Sequence, residues 1–180
     1  MKIAVYCGAS SGRPDAAYAQ QASRLGLSMA EQGIELVYGG AGVGLMGIIA
    51  NAVLTAGGKV TGVMPAVLIE KEQAHAGLTE LIRVDDIHQR KAKMMDLADA
   101  FVALPGGTGT LEELFEVWAW RQIGIHRKPF GLLNTDGYYD HLLRFLDHAT
   151  EQSFVRPEYR RFLVAATEPE LLLSELINAV

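Results

Sequence analysis

The sequence predicts an α/β fold of Rossmann-like type, a parallel β-sheet with helices on both faces, and three observations carry the prediction. Short apolar runs rich in strand formers alternate with longer helical segments about six times along the chain. The first, second and fifth of these runs each end in a glycine-rich loop, and a parallel sheet gathers such loops at one edge. Finally, 180 residues with 49% hydrophobic content, and no internal repeat, low-complexity run or linker, fit a single domain spanning 1–180 with a sizeable core.

In chain order, Lys2–Cys7 reads as the first buried strand, ended by Gly8. Gly8-Ala9-Ser10-Ser11-Gly12 makes a small-residue turn before a helix over 15–32. The hydroxyls of Ser10 and Ser11 either reach a ribose or phosphate at the strand's carboxyl end, where open parallel sheets hold ligands, or cap the turn. Cys7, the sole cysteine, reads as core, because no histidine lies near it in sequence to activate a thiolate. Ile34–Tyr38 is the second strand. Gly39-Gly40-Ala41-Gly42-Val43-Gly44 is the second glycine loop, ahead of a helix over 45–56. This loop has the look of a dinucleotide fingerprint, but the acid that an NAD ribose requires is missing from Val60–Pro65. The glycine loop is kept as a ligand loop and NAD is set aside.

A third strand, Lys59–Met64, leads into the segment 65–79, which carries Glu70, Lys71, Glu72 and His75 without clear periodicity. It reads as a loop or short helix over the site, with His75 at the surface. Leu81–Val84 is the fourth strand, and Asp85 or Asp86 caps a helix over 87–98. Arg90 and Met94 share a face at helical spacing, which points Arg90 partly inward. Ala100–Leu104 and Lys128–Leu133 are further strands, and helices are expected over 138–151 and 169–179. The tail from Val155 is assigned packing alone.

The stretch Pro105-Gly106-Gly107-Thr108-Gly109-Thr110-Leu111-Glu112-Glu113 organises the rest. It joins the fifth strand to a helix read over 111–123, and its three glycines let the backbone pass close to a ligand. The unpaired amides and the dipole at the helix start suit a phosphate. Glu112 and Glu113 repel such a phosphate unless they serve another part of the ligand. The plainer reading has them complementing the helix dipole, worth about 0.3–1 kcal/mol. Leu111, Leu114, Phe115, Val117, Trp118 and Trp120 cover more of this helix than one sheet face can bury. Part of that surface is expected to meet a partner, which predicts a homodimer through 111–123, with Glu112, Glu113 and Glu116 on the remaining face.

A net charge of −5 and a pI near 5.5 give no general attraction to nucleic acid or anionic membranes, so any phosphate is held locally. No apolar stretch approaches the roughly 18 residues of a membrane span, and Met1 opens no charged-then-apolar signal segment. A soluble cytoplasmic protein is expected. No His, Cys or acid cluster has metal-ligand spacing, so no metal is implied.

Pro105 to Glu113 follow the pattern P-G-G-x-G-T-x-x-E without a gap, and His88-Gln89-Arg90-Lys91 stand as the block H-Q-R-K. With Tyr38-Gly39-Gly40, Gly44-Leu45-Met46-Gly47 and Gly124-Ile125-His126-Arg127-Lys128-Pro129, these motifs make the chain resemble the LOG ("Lonely guy") family of cytokinin-activating phosphoribohydrolases from Lys2 to Phe154. The resemblance implies hydrolysis of the N-glycosidic bond of a nucleoside 5′-monophosphate, with no cofactor, releasing adenine or an N-prenylated adenine and ribose 5-phosphate. It implies Glu113 and Arg90 as catalytic, and Lys91 and Glu112 as ligand contacts. Glu72 enters by its distance from the H-Q-R-K block. The phosphate is implied at Gly106, Gly107, Thr108, Gly109 and Thr110, with Gly8, Ser10, Gly39 and Gly40 as further contacts. Two departures bear on the ligand: family members often carry serine at Ala9 and threonine at Ala119. Three other readings stay open, namely a nucleotide sensor without catalysis, a more general AMP nucleosidase, and a decarboxylase carrying pyridoxal phosphate on Lys91.

Overall fold

The computed structural model describes residues 1–69 and 74–180. Its elements are β1 (Lys2–Tyr6), α1 (Tyr18–Glu31), β2 (Glu35–Tyr38), α2 (Gly44–Thr55), β3 (Val60–Pro65), β4 (Glu80–Val84), α3 (Ile87–Leu97), β5 (Ala100–Ala103), α4 (Thr108–Gln122), β6 (Phe130–Leu133), α5 (Asp140–Glu151), α6 (Pro157–Arg160), β7 (Leu163–Ala166) and α7 (Pro169–Ile177). The strands form one parallel sheet in the order β4-β3-β2-β1-β5-β6-β7. The order runs outward in both directions from β1 and β5, whose residues Ile3 and Ala100 are in register. Connections that leave two adjacent strands for opposite sides open a crevice at their carboxyl ends, and here it lies between Gly8 and Pro105.

Each strand is short, and its alternate residues feed two separate cores, which is why both faces need helices. From β1, Ile3 and Val5 join Leu25 and Met29 of α1, Ile49 of α2 and Leu172 of α7. Ala4 and Tyr6 point the other way, into Met94 of α3, Leu114 and Trp118 of α4 and Leu146 of α5. Both expected faces are therefore occupied, and the Rossmann-like reading holds.

Most expected elements fall within two residues of their observed bounds, and the exceptions have local causes. The first helix starts at Tyr18 rather than 15 because the Ala17 amide donates to Asp136 Oδ2 at 2.9 Å and Arg13 pairs with Asp15 ahead of it. The fourth helix starts at Thr108, inside the glycine stretch, and so holds Gly109 and Thr110 in its first turn. The tail, read as packing alone, supplies a seventh strand at the sheet edge and part of a core, with Leu172, Leu173 and Leu176 fully buried.

The β1 and β2 loops lock together around Gly44. Its φ is +57°, and a Cβ there would stand 2.3 Å from the carbonyl carbon of Ala9, while the next amide, of Leu45, donates to Gly8 at 3.1 Å. Gly44→Ala therefore adds left-handed strain to a backbone collision. It is expected to cost about 2–4 kcal/mol of stability in a urea titration.

Candidate active site

The crevice holds a cavity of about 380 Å³, floored by the ends of β1 and β2 and walled by α3 and the first turns of α4. Its size is that of a small-ligand site. Gly8 donates to the Pro105 carbonyl at 3.1 Å, so the two loops form one continuous rim. At Gly106, a Cβ would meet Thr110 Oγ1 at 2.1 Å, and only glycine lets the loop fold back onto the helix it precedes. A Cβ at Gly107 or Gly109 would meet nothing within 4 Å, which leaves this end of α4 open to a ligand. The N-cap, Gly107, offers no side-chain acceptor, so the first amides of α4 remain available to an anion.

The acids were expected at the head of this helix, but the first turn contains none, because α4 begins earlier than the apolar pattern suggests. Glu112 and Glu113 lie in the second turn, where the dipole has little hold on them. Their position is explained by the cleft instead.

Arg90 comes from α3. Asp86 caps that helix by accepting from the Gln89 amide at 2.8 Å, and the Gln89 side chain bonds back to Asp85 through its amide and carboxylate, each at 3.1 Å. This reciprocal cap fixes the helix start and with it the direction of Arg90, which is 8% exposed beside the fully buried Met94. The guanidinium lies directly over Gly39, where a Cβ would stand 1.9 Å from Nη2. Gly39 is thus the floor that lets a buried arginine reach the cleft.

Two charge arrangements follow. Lys91 Nζ is held between Glu112 and Glu116, the latter at 3.1 Å, and is 11% exposed. Burial alone would lower its pKa, but the hydrogen bonds to Glu112 and Glu116 prevail and raise it. A Schiff-base lysine needs the opposite shift, so this ammonium is unsuited to carry an aldehyde cofactor. Glu113 stands apart from that clamp. Burial raises its pKa from the ordinary 4.5 to about 7, the Arg90 charge opposes the rise, and Glu112 adds to it. Tyr6 and Cys7 share the wall, and burial followed by the Glu113 charge pushes both upward, so both stay protonated.

Of the residues singled out from sequence, Gly8, Gly39, Arg90, Gly107, Thr108, Gly109, Thr110, Glu112 and Glu113 line this cavity together. Lys91 adjoins it through Glu112. Gly40, at φ +87°, is a turn residue whose carbonyl accepts from the His75 amide at 2.9 Å. His75 is not the plain surface residue expected, since its Nε2 also bonds Asn51 Oδ1 at 2.9 Å and ties its segment to α2. Ser10 and Gly106 border a neighbouring cavity with Tyr18 and Tyr138, and the Ser10 hydroxyl accepts from Gly12 at 3.1 Å, so it caps the turn. Glu72 lies outside the described residues. Sequence reading passed over Tyr6 and Tyr138, and it put Glu116 on one face with Glu112 and Glu113 without giving it a part in the site. The i,i+4 spacing of Glu116 from Glu112 was a usable signal, and so was the alternation of β1 that turns Tyr6 toward α4. Nothing near Tyr138 in sequence announced its reach to a loop 32 residues away.

Fold and cleft together define a Rossmann-like protein that sets an open, uncapped helix start beside a raised-pKa acid. The family model described as "Possible lysine decarboxylase" matches residues 46–176. The cytokinin riboside 5'-monophosphate phosphoribohydrolase LOG7 of Arabidopsis thaliana is 50% identical over 175 residues, covering 97% of this chain and 80% of its own. The phosphoribohydrolase LOG of Oryza sativa subsp. japonica is 49% identical over 173 residues, covering 96% and 71%. The chain belongs to the LOG family and is a hydrolase. Among solved structures, TM1055 superposes with a TM-score of 0.73 at 22% identity over 99% of both chains. A molybdenum cofactor binding protein of Rippkaea orientalis gives 0.73 at 23% identity over 98% of this chain and 94% of its own. Likenesses at that identity speak for the fold. No helix among the described residues is long and apolar enough to cross a membrane.

The raised carboxyl makes a testable demand on stability. A native pKa of about 7 against an ordinary 4.5 means the folded state binds more protons between those values, so stability falls as pH rises through that window and stays lower above it. Glu113→Gln removes this cost, an effect of at most about 3 kcal/mol. Thermal unfolding is expected to show the variant more stable than wild type at pH 8 by several degrees, with the gap closed at pH 4.5.

Proposed function

We propose that this protein hydrolyses the N-glycosidic bond of cytokinin riboside 5′-monophosphates, of AMP, or of both, releasing the free base and ribose 5-phosphate. The observation that carries the reading is Glu113, a carboxyl raised to about 7 inside a cleft that also holds the start of α4. The half-identical relatives named for this activity support it.

The 5′-phosphate sits on the amides from Gly106 to Thr110, where helix dipole and glycine access meet. Anchoring this end holds the anomeric carbon against Glu113, so remote binding energy becomes orientation at the reacting bond. As the base departs, positive charge grows on the sugar, and an ionised Glu113 stabilises it and orients the attacking water. Water adds its hydroxyl to the anomeric carbon and its proton to the departing base or the solvent, which balances the step. Arg90 faces the same cavity and keeps Glu113 ionisable against its burial. Lys91 is shared by Glu112 and Glu116 and offsets part of their charge, which leaves Glu112 able to accept ribose hydroxyls. Phe115, Ile123 and Ile125 are 37%, 72% and 60% exposed along and just after α4, and this apolar strip supports a homodimer through that helix.

Chromatography of reactions with isopentenyladenosine 5′-monophosphate and AMP tests the reading. Wild type is expected to release base from one or both, and Glu113→Gln to lose about a hundredfold or more of the rate. No free base from wild type with either nucleotide would sink the hydrolase assignment. Because ionised Glu113 is the working form, kcat/KM is expected to rise with pH through about 7 and level off above it. For the assembly, sedimentation is expected to give a dimer, and Ile123→Asp a monomer.

A further inference from the structure

We infer that Tyr138 is a positioning residue for the anion cradle: by holding the Gly106 carbonyl, it aims the Gly107 amide at the bound phosphate and so enforces the requirement for a 5′-phosphate. The inference rests on the reaction proposed above.

Three observations support it. The Tyr138 hydroxyl donates to the Gly106 carbonyl at 2.6 Å from a residue 32 positions away. In a planar trans peptide the carbonyl of one residue and the amide of the next point in opposite directions, so fixing Gly106 O fixes the Gly107 N–H away from Tyr138. That amide donates to no acceptor among the described residues, while a Cβ on Gly107 would meet nothing within 4 Å. A peptide plane between two glycines rotates at little steric cost, and the reversed plane would offer an anion a carbonyl oxygen in place of an amide. The loop needs a latch, and Tyr138 supplies it.

The neighbouring tyrosine shows what a merely structural bond looks like. Tyr139 is 1% exposed and its hydroxyl donates to the Leu104 carbonyl at 2.6 Å, beneath the loop and inside the core. Tyr138 is 41% exposed, and its ring is kept in place by edge-on contacts with Tyr18 at 5.6 Å and Tyr139 at 4.9 Å. Removing its hydroxyl therefore leaves the packing intact and frees only the peptide plane.

The test compares wild type, Tyr138→Phe and Tyr139→Phe by calorimetric titration with inorganic phosphate and by steady-state kinetics with isopentenyladenosine 5′-monophosphate. Tyr138→Phe is expected to weaken phosphate binding by about five- to tenfold and to lower kcat/KM by a similar factor. Tyr139→Phe is expected to lower the unfolding temperature and leave phosphate binding unchanged. Unaltered phosphate affinity in Tyr138→Phe, equal weakening in both variants, or no phosphate binding by wild type overturns the inference. Phosphate titration needs no turnover, so a wild type that binds phosphate but releases no base would refute the proposed reaction while leaving the latch to be judged by its own readout.

Discussion

The hydrogen bond from the Gly8 amide to the Pro105 carbonyl is the constraint on which the site depends. It joins the ends of β1 and β5, the two strands from which the sheet grows in opposite directions. Because connections leave those strands toward opposite faces, the join is flanked by α1 and α2 on one side and by α3 and α4 on the other. Arg90, Glu112, Glu113 and the start of α4 are all delivered to that seam. Gly8, Gly39, Gly44 and Gly106 around it have a shared cause, since at each a side chain would collide with a neighbouring loop or with a group such as Arg90 or Thr110.

Charge is arranged around one exception. Four of the cleft's ionisable side chains are compensated locally: Lys91 is shared by Glu112 and Glu116, and Arg90 faces the whole cluster. Glu113 receives only part of that compensation, and burial raises its pKa to about 7. A cleft designed for stability would have paired it. That residual cost is what the proposed role of Glu113 would require of it.

The fold was legible in the chain because each strand is a short apolar run followed by a turn residue, and the site was legible where chemistry is packed into consecutive residues. Pro105 to Glu113 and His88 to Lys91 carry their meaning locally. What escaped reading depends on contacts between distant segments. The start of α4 at Thr108 follows from the helix continuing through glycines that propensity disfavours, and the later start of α1 follows from Asp136 taking the Ala17 amide. The strand Leu163–Ala166 escaped because four residues at a sheet edge, two of them not buried, give no strong periodicity. Ser10, left open between ligand and turn, accepts the Gly12 amide in a turn bond of two residues' span.

Cys7 has a consequence for where such an enzyme can work. It is the sole thiol of the chain, and it stands in the wall of the cleft, where an exposed sulfur would put the site at the mercy of peroxides and alkylating agents. Burial, reinforced by the Glu113 charge, holds it as the unreactive thiol rather than the thiolate. The Glu113 charge thus adds to burial in keeping the one sulfur of the cleft wall out of thiolate chemistry.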